Sequence, residues 1–358
     1  MLYLGIDQHR KQLTVNLRDE SGEVILKRQV STRWKQVAEF LTDLSTRAAA
    51  AGGCVAIVEV CGFNDWLLKM LNSHGLQVLL VQPEKRSRRK TDRRDADHLG
   101  ELLWVNRQRF QAGQKVHGVR VIQPPTPRDG EDRQLTALRC RLTQQRTQTL
   151  NQVQHILLKH NLQQDCPTKG MHTKRAQKWL ETLELPSIDR MTMNLLLDQW
   201  RLWDKQLGEV NKLLCQRADE SPTVTIINSL PGAGAFISLI LASRIGAIER
   251  FPNPKSLGNY FGLVPSCRNS GEATKRSGSI TKDGSGIARY ALGLMVMHLL
   301  RKDPAMRQWY LGIKRRRGVK IARVAVMRRI TTLLWHMLRN RQAYCPDRKA
   351  RAAEAVMA

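Results

Sequence analysis

The chain has 358 residues, 59 Lys and Arg against 31 Asp and Glu, and a formal net charge of +28. That length accommodates two domains with real cores, and basic charge spread along the whole chain makes nucleic acid the expected partner, with an anionic membrane surface as the competitor. No stretch approaches the roughly 18 apolar residues of a membrane span, Asp7 comes too early for a secretory leader, and the seven cysteines contain no CxxC pair; a membrane span, a zinc ribbon and a disulfide framework are set aside, and a reduced cytoplasmic setting is expected. Leu2–Ile6 is a short apolar run ending on Asp7, Leu13–Leu17 alternates with period two, and Val24–Leu26 follows a turn at Glu20–Glu23, so the start reads as a β-meander. Residues 33–50 carry helical spacing behind Ser31 and Thr32, and Gly52-Gly53 breaks the chain. Cys54–Val58 is an apolar strand ending on Glu59; a helix with Trp66, Leu67, Met70 and Leu71 stops at Gly75; Val78–Val81 is another buried strand. Three strands followed by α-β-α-β-α predict an α/β layered domain.

The closing helix of that domain carries acids inside basic sequence. Lys85, Arg86, Arg88 and Arg89 precede Lys90-Thr91-Asp92-Arg93-Arg94-Asp95-Ala96-Asp97. A segment that only gripped phosphate would be expected to hold like charges. On a helix running to about Trp104, Asp92 and Asp95 share a face at i and i+3, whereas Asp97 points roughly 140° away from Asp92. Strand ends and an adjacent helix are where a sheet gathers acids from distant sequence. Asp7, Glu59, Asp92 and Asp95 gathered there would repel unless metal compensated them, and two Mg²⁺ ions acting on a phosphodiester would do so. The competing reading for each acid alone is a cap or turn residue.

Residues 105–130 read as irregular, and Pro124-Pro125-Thr126-Pro127 marks a domain boundary. Two amphipathic helices follow, from Asp132 to about His160 and from about Met191 to Cys215, with a loop at 162–173. They suit either a hairpin within the chain or an arm that assembles subunits. Pro231-Gly232-Ala233-Gly234 forms a tight turn before an apolar helical run from Phe236 to Ile245. Its backbone N–H groups, around Gly232 and Gly234, suit a DNA phosphate; the plainer alternative is a helix–turn–helix corner. Ser266 to Gly286 reads as a Ser- and Gly-rich loop carrying Arg268, Lys275, Arg276 and Lys282. It suits a backbone clasp or a serine nucleophile, and composition does not choose among Ser266, Ser270, Ser277, Ser279 and Ser285. From Arg268 to Arg351 there are 21 Lys and Arg against four Asp and Glu, densest at Lys314-Arg315-Arg316-Arg317. Helical apolar spacing through Ile321, Val324, Met327, Ile330 and Leu334 makes this a folded basic domain that contacts a polyanion.

Taken together, the motifs resemble the DEDD transposases of bacterial insertion sequences, a group that includes Piv-type DNA invertases and bridge-RNA-guided recombinases. The N-terminal signature is Gly5-Ile6-Asp7, Val58-Glu59 with Gly62, and Lys90-Thr91-Asp92-x-x-Asp95-Ala96. The C-terminal signature is Pro231-Gly232-x-Gly234, Gly262-Leu263-x-Pro265, Ser270-Gly271, Gly278-x-Ile280-x-Lys282-x-Gly284 and Arg289. Cys61 stands where a small hydroxyl residue is commoner, and Arg268-Asn269 directly precedes the serine. The resemblance implies a RuvC-like, RNase-H-type domain over 1–125, a helical coiled-coil region over 126–220 that assembles subunits, and a mainly helical C-terminal transposase domain over 221–358. It implies that Ser270 attacks the DNA backbone, that acids and serine form a composite site shared between subunits, and that a structured guide RNA pairs with donor and target DNA. The expected function is a Mg²⁺-dependent recombinase of a mobile element, in the cytoplasm at the bacterial nucleoid, forming a homo-oligomer. The competing expectations are an RNA-independent invertase, a junction nuclease that hydrolyses DNA with metal alone, and a nucleic-acid-binding protein with degenerate catalysis.

Overall fold

The computed structural model describes residues 1–83, 92–116, 118–267 and 277–345, which fall into two compact units, Met1–Pro124 and the chain from Pro125 onward. In the first unit β1 (Leu2–Gln8), β2 (Gln12–Arg18) and β3 (Val24–Ser31) form the expected meander, followed by α1 (Trp34–Ala50), β4 (Cys54–Glu59), α2 (Asp65–Ser73), β5 (Gln77–Pro83) and α3 (Asp92–Val105). The sheet order is β3-β2-β1-β4-β5-β6, with β1, β4 and β5 parallel. Every residue of β1 is buried, as suits a central strand covered on both faces. The pleat divides it cleanly. Leu4 and Ile6 pack with Phe40, Leu41, Leu44, Leu67 and Leu71 of α1 and α2, while Tyr3 packs with Val55, Ile57, Leu99 and Leu103 on the α3 side.

The segment read as irregular is partly ordered. It holds α4 (Arg107–Gln111) and a sixth strand, β6 (Val119–Ile122), antiparallel to β5 with Leu80 opposite Ile122. A four-residue strand whose partner lies about 40 positions upstream leaves no periodic signal of its own, which is why the sequence hid it.

In the second unit α5 (Pro127–Lys159) and α7 (Ser187–Asp219) are each 33 residues long, about 50 Å at helical rise. They start earlier than their apolar spacing suggests. Thr126 caps α5 by accepting from the Asp129 N–H at 3.1 Å, with Pro127 at the first helical position. The two pair antiparallel within the chain. Arg128–Glu220 (2.6 Å), Arg217–Glu131 (2.5 Å), Arg146–Asp204 (2.5 Å) and Lys159–Asp189 (2.7 Å) run along the seam in that order. Met193, Trp200, Leu207 and Leu214, seven apart, form its buried stripe. Leu180 of the short α6 (Lys174–Thr182), an element the apolar spacing did not reveal, closes the distal core with Leu150, Val153 and Leu157.

The remaining elements are α8 (Pro222–Asn228), α9 (Ala235–Ile245), α10 (Pro254–Tyr260), β7 (Pro265–Cys267), β8 (Ser277–Ile280), α11 (Gly286–Lys302), α12 (Pro304–Arg317) and α13 (Val319–Asn340). Residues 238–245 of α9 are all buried, so this helix is the axis of the C-terminal core and α5, α7, α8 and α11 pack around it, with α13 packed on α8, α10 and α11. The segment Ser266–Gly286, expected as a loop, is bounded by a two-stranded antiparallel ribbon in which Pro265 pairs with Ile280. Three- and four-residue strands among Ser and Gly are too short to show alternation. Among the described residues, no helix is long and apolar enough to cross a membrane.

Candidate functional site

The parallel register of β1 and β4 sets Ile6 beside Val58, so the next residues, Asp7 and Glu59, lie side by side near the C-terminal ends of strands about 4.8 Å apart. Alternation puts both on the α3 side, in phase with Tyr3, Val55 and Ile57. Helix α3 runs antiparallel to β1. Its middle, at Ala96 and Gly100, lies over Gly5, and its far end, at Trp104, donates its indole N–H to the Glu20 carbonyl at 3.2 Å, near the start of β1. The first turn of α3, with Asp92 and Asp95, is therefore at the same end of the sheet as Asp7 and Glu59. This close approach depends on Gly5: a Cβ there would stand 2.6 Å from the Ala96 carbonyl oxygen and still closer to the Gly100 nitrogen.

Asp7 is buried, at 8% exposure, and its Oδ2 is 2.9 Å from His9 Nε2. Glu59 and Asp95 are half-buried, and the Asp92 side chain lies outside the described residues. Asp97, two residues on, turns away as its helical angle requires: it accepts from Asn16 Nδ2 and from Lys27 Nζ, each at 2.7 Å. The N-terminus of α3 carries a partial positive charge that favours carboxylates. A set of hard oxygen donors at the end of a sheet fits a divalent cation such as Mg²⁺, although among the described residues no three His, Cys, Asp or Glu side chains form a ligand group by themselves.

Sequence reasoning missed the support behind this corner. Asn64, 3% exposed, donates to Gln8 Oε1 at 2.8 Å and to the Glu59 carbonyl at 3.1 Å. Gln8 Nε2 in turn donates to the Phe63 carbonyl at 3.0 Å. The backbone around Asp7 and Glu59 is thus tied together through two amides. The only signal in the sequence was an amide directly after a strand-end acid.

In the second unit Gly232 (φ 88°) lies against α11, where a Cβ would meet His298 Cβ at 2.6 Å; its first duty is packing, with the backbone turn a consequence. Gly234 is exposed at the N-cap of α9. Ile226 and Ile227 lie on α8, so the turn joins two helices. Of the serines weighed, Ser285 is occupied: its Oγ accepts from Ala288 N–H as the cap of α11 and from Arg244 Nε at 3.0 Å. Burial pushes the Arg244 guanidinium down to about 10, and it also donates to Thr136 Oγ1, tying α5 to α9 and α11. Ser266 Oγ donates to the Ser279 carbonyl at 3.0 Å. Lys282 is exposed with φ 58°, and Arg289 braces that turn by donating to the Phe261 and Asp283 carbonyls at 3.1 and 2.8 Å. Ser270, Arg268, Lys275 and Arg276, with Lys85, Arg86, Arg88 and Arg89, lie outside the described residues.

Residues 4–161 match the DEDD transposase family of IS110 type, and residues 224–311 match the IS116/IS110/IS902 transposase family. The chain belongs to the IS110 family of DEDD transposases. It is 25% identical over 355 residues to the transposase of insertion sequence element IS1111A of Coxiella burnetii, covering 95% of this chain and 90% of that relative. It is 20% identical over 342 residues to the transposase of IS1328 of Yersinia enterocolitica, covering 93% and 95% respectively. The two matched stretches of this IS110-family transposase hold all four acids and the serine position. The IS116/IS110/IS902 match stops at 311, before Lys314, Arg315, Arg316 and Arg317, which are exposed on the last turn of α12. At a helix C-terminus these cations also satisfy the dipole, so their number, not their presence, is what points to a polyanion.

Proposed function

We propose that this transposase cuts and rejoins DNA through a phosphoserine on Ser270, with Asp7, Glu59, Asp92 and Asp95 holding Mg²⁺ in a RuvC-like domain. The observation that carries the proposal is that two strand-end acids and the acid-bearing first turn of α3 lie at the same end of the sheet. When bound, the metal would polarise the scissile phosphate and offset the negative charge gathered there. The chain's own residues do the rest. Ser270 Oγ forms a bond to phosphorus as the strand's P–O bond breaks; the serine proton is lost and the leaving oxygen gains one. A strand hydroxyl then attacks the phosphoserine, restoring a phosphodiester and the serine hydroxyl. Bond energy is kept through the exchange, so no nucleotide cofactor is needed.

We read the chain as a catalytic domain (1–125), an assembly arm (126–220) and a serine-bearing domain (221–358). Family resemblance supports a homo-oligomer and guidance by a structured RNA, and the charge of +28 supports binding of both nucleic acids. Incubation with substrate DNA and Mg²⁺ followed by denaturing electrophoresis tests the chemistry. A protein–DNA adduct that forms with the native chain and is lost in Ser270→Ala and in Asp7→Asn, with both variants folded, is the expected result. DNA cleaved normally by Ser270→Ala, with no adduct, would mean metal-dependent hydrolysis instead. Sequencing the nucleic acid that copurifies with the protein tests the guide: one discrete RNA from the flank of the gene is expected, and heterogeneous RNA would point to direct reading of DNA.

A further inference from the structure

Next to the acid corner is a cleft of about 470 Å³, lined by His9, Arg10, Thr32, Trp34, Phe63 and Trp66. Its size is within the range of small-ligand sites. Trp34 is 65% exposed and Phe63 46%. The indoles of Trp34 and Trp66 meet edge to face, 5.5 Å between centroids at 81°, which leaves aromatic surface open to solvent. Single exposed apolar residues need no explanation, but three rings gathered in one cleft do. The cleft is also preorganised. The Phe63 carbonyl is held by Gln8, the Thr32 hydroxyl donates to the Arg10 carbonyl at 3.2 Å, and Trp34 opens α1. Arg10 supplies a cation in its lining, and Lys11 and Lys35, each next in sequence to a lining residue, are exposed. His9 joins it to the corner, since the imidazole that lines the cleft also bonds Asp7.

Rings for base faces, cations for phosphates and a direct link to the carboxylates are the features of a single-strand stacking site. We infer that this cleft takes an unpaired DNA base from the strand whose phosphate reaches Asp7 and Glu59, fixing which phosphodiester is presented. A base must leave its duplex to enter, so the site selects locally opened DNA. The inference rests on the proposed nuclease-type corner for its purpose, but its binding is measurable without chemistry.

The test uses the full-length protein in EDTA with a short single-stranded oligodeoxynucleotide carrying one 2-aminopurine, its duplex form and the matching RNA. Binding to the single strand should quench the 2-aminopurine. Trp34→Ala and Phe63→Ala should each weaken single-strand binding about 5- to 100-fold, Trp34→Phe should restore most of it, and duplex binding should hold within about twofold. Trp34→Ala binding the single strand as tightly as the native protein would overturn the inference. So would an equal loss for duplex, which would make the ring a general support, or an effect confined to RNA. If the stacking signature holds while Asp7→Asn leaves strand cleavage intact, the cleft stands and the catalytic reading of the corner falls.

Discussion

Gly5 sits where β1 and α3 touch, and its missing side chain places the acids. The neighbours a Cβ would meet are backbone atoms of Ala96 and Gly100, which cannot rotate aside, so Gly5→Ala must push α3 off the sheet. Overpacking of this kind costs about 1–3 kcal/mol or more. We expect a lowered thermal midpoint together with loss of strand exchange, read by calorimetry and by the adduct assay on the same preparation. Asp97 gives the opposite contrast. Its carboxylate is committed to Asn16 and Lys27, so Asp97→Asn should lower stability modestly and leave adduct formation intact, whereas Asp92→Asn should abolish the adduct in a protein that remains folded. Equal loss of adduct in both variants would show that these neighbouring acids are not divided between structure and chemistry.

The helical hairpin of α5 and α7 is laced by charge at both ends. The Asp189 carboxyl is held below the usual carboxylate range, chiefly by its hydrogen bond from Lys159 and then by His160; Glu220 is lowered by its hydrogen bond from Arg128. A carboxylate whose folded pKa is depressed adds stability that is present above its unfolded pKa and is lost as pH falls through the folded value. The hairpin should therefore lose stability with acidification below the ordinary carboxylate range. Asp189→Asn should be less stable near neutrality and show a flatter acid limb when helicity is followed against pH. Glu220 is exposed and Asp189 half-buried, so salt should shrink the effect, more at Glu220 than at Asp189. A native-like acid limb in the variant would place the acid sensitivity elsewhere. The same helix carries Ile188, Met191, Leu195 and Leu202 exposed on its outer side, an apolar face in keeping with the assembly role proposed for this arm.

For the whole molecule the dominant quantity is the charge of +28, and its signature is salt dependence. Each phosphate neutralised on B-DNA adds about 0.9 to the slope of log affinity against log salt. Lys314, Arg315, Arg316 and Arg317 are exposed at the end of α12, so replacing all four by Gln should leave the C-terminal core folded. We expect weaker DNA binding at every sequence tested and a slope smaller by about 0.9 for each phosphate that is no longer neutralised. An unchanged slope, measured by titration at several salt concentrations, would assign these cations to the helix dipole alone.

Local signals carried much of this molecule. Alternation and short apolar runs marked β1 to β5, Asp7 and Glu59 declared themselves as acids at the ends of apolar runs, and i, i+3 spacing alone separated Asp92 and Asp95 from Asp97. Helical spacing marked α5 and α7 but left open whether they pair within the chain; their cross-seam ion pairs decided that. The strand β6 and the ribbon of β7 and β8 were hidden because hydrogen bonds to distant partners, and no periodicity of their own, make them strands. The aromatic cleft was hidden for the same reason: Trp34, Phe63 and Trp66 are ordinary at their own positions, and only the packing of α1 and α2 against one end of the sheet collects them beside His9. Sequence determines which faces must be buried, because burial is read from the period of apolar residues. Which distant residues share a corner depends on strand order and on the approach of α3 at Gly5, and those are properties of the tertiary structure alone.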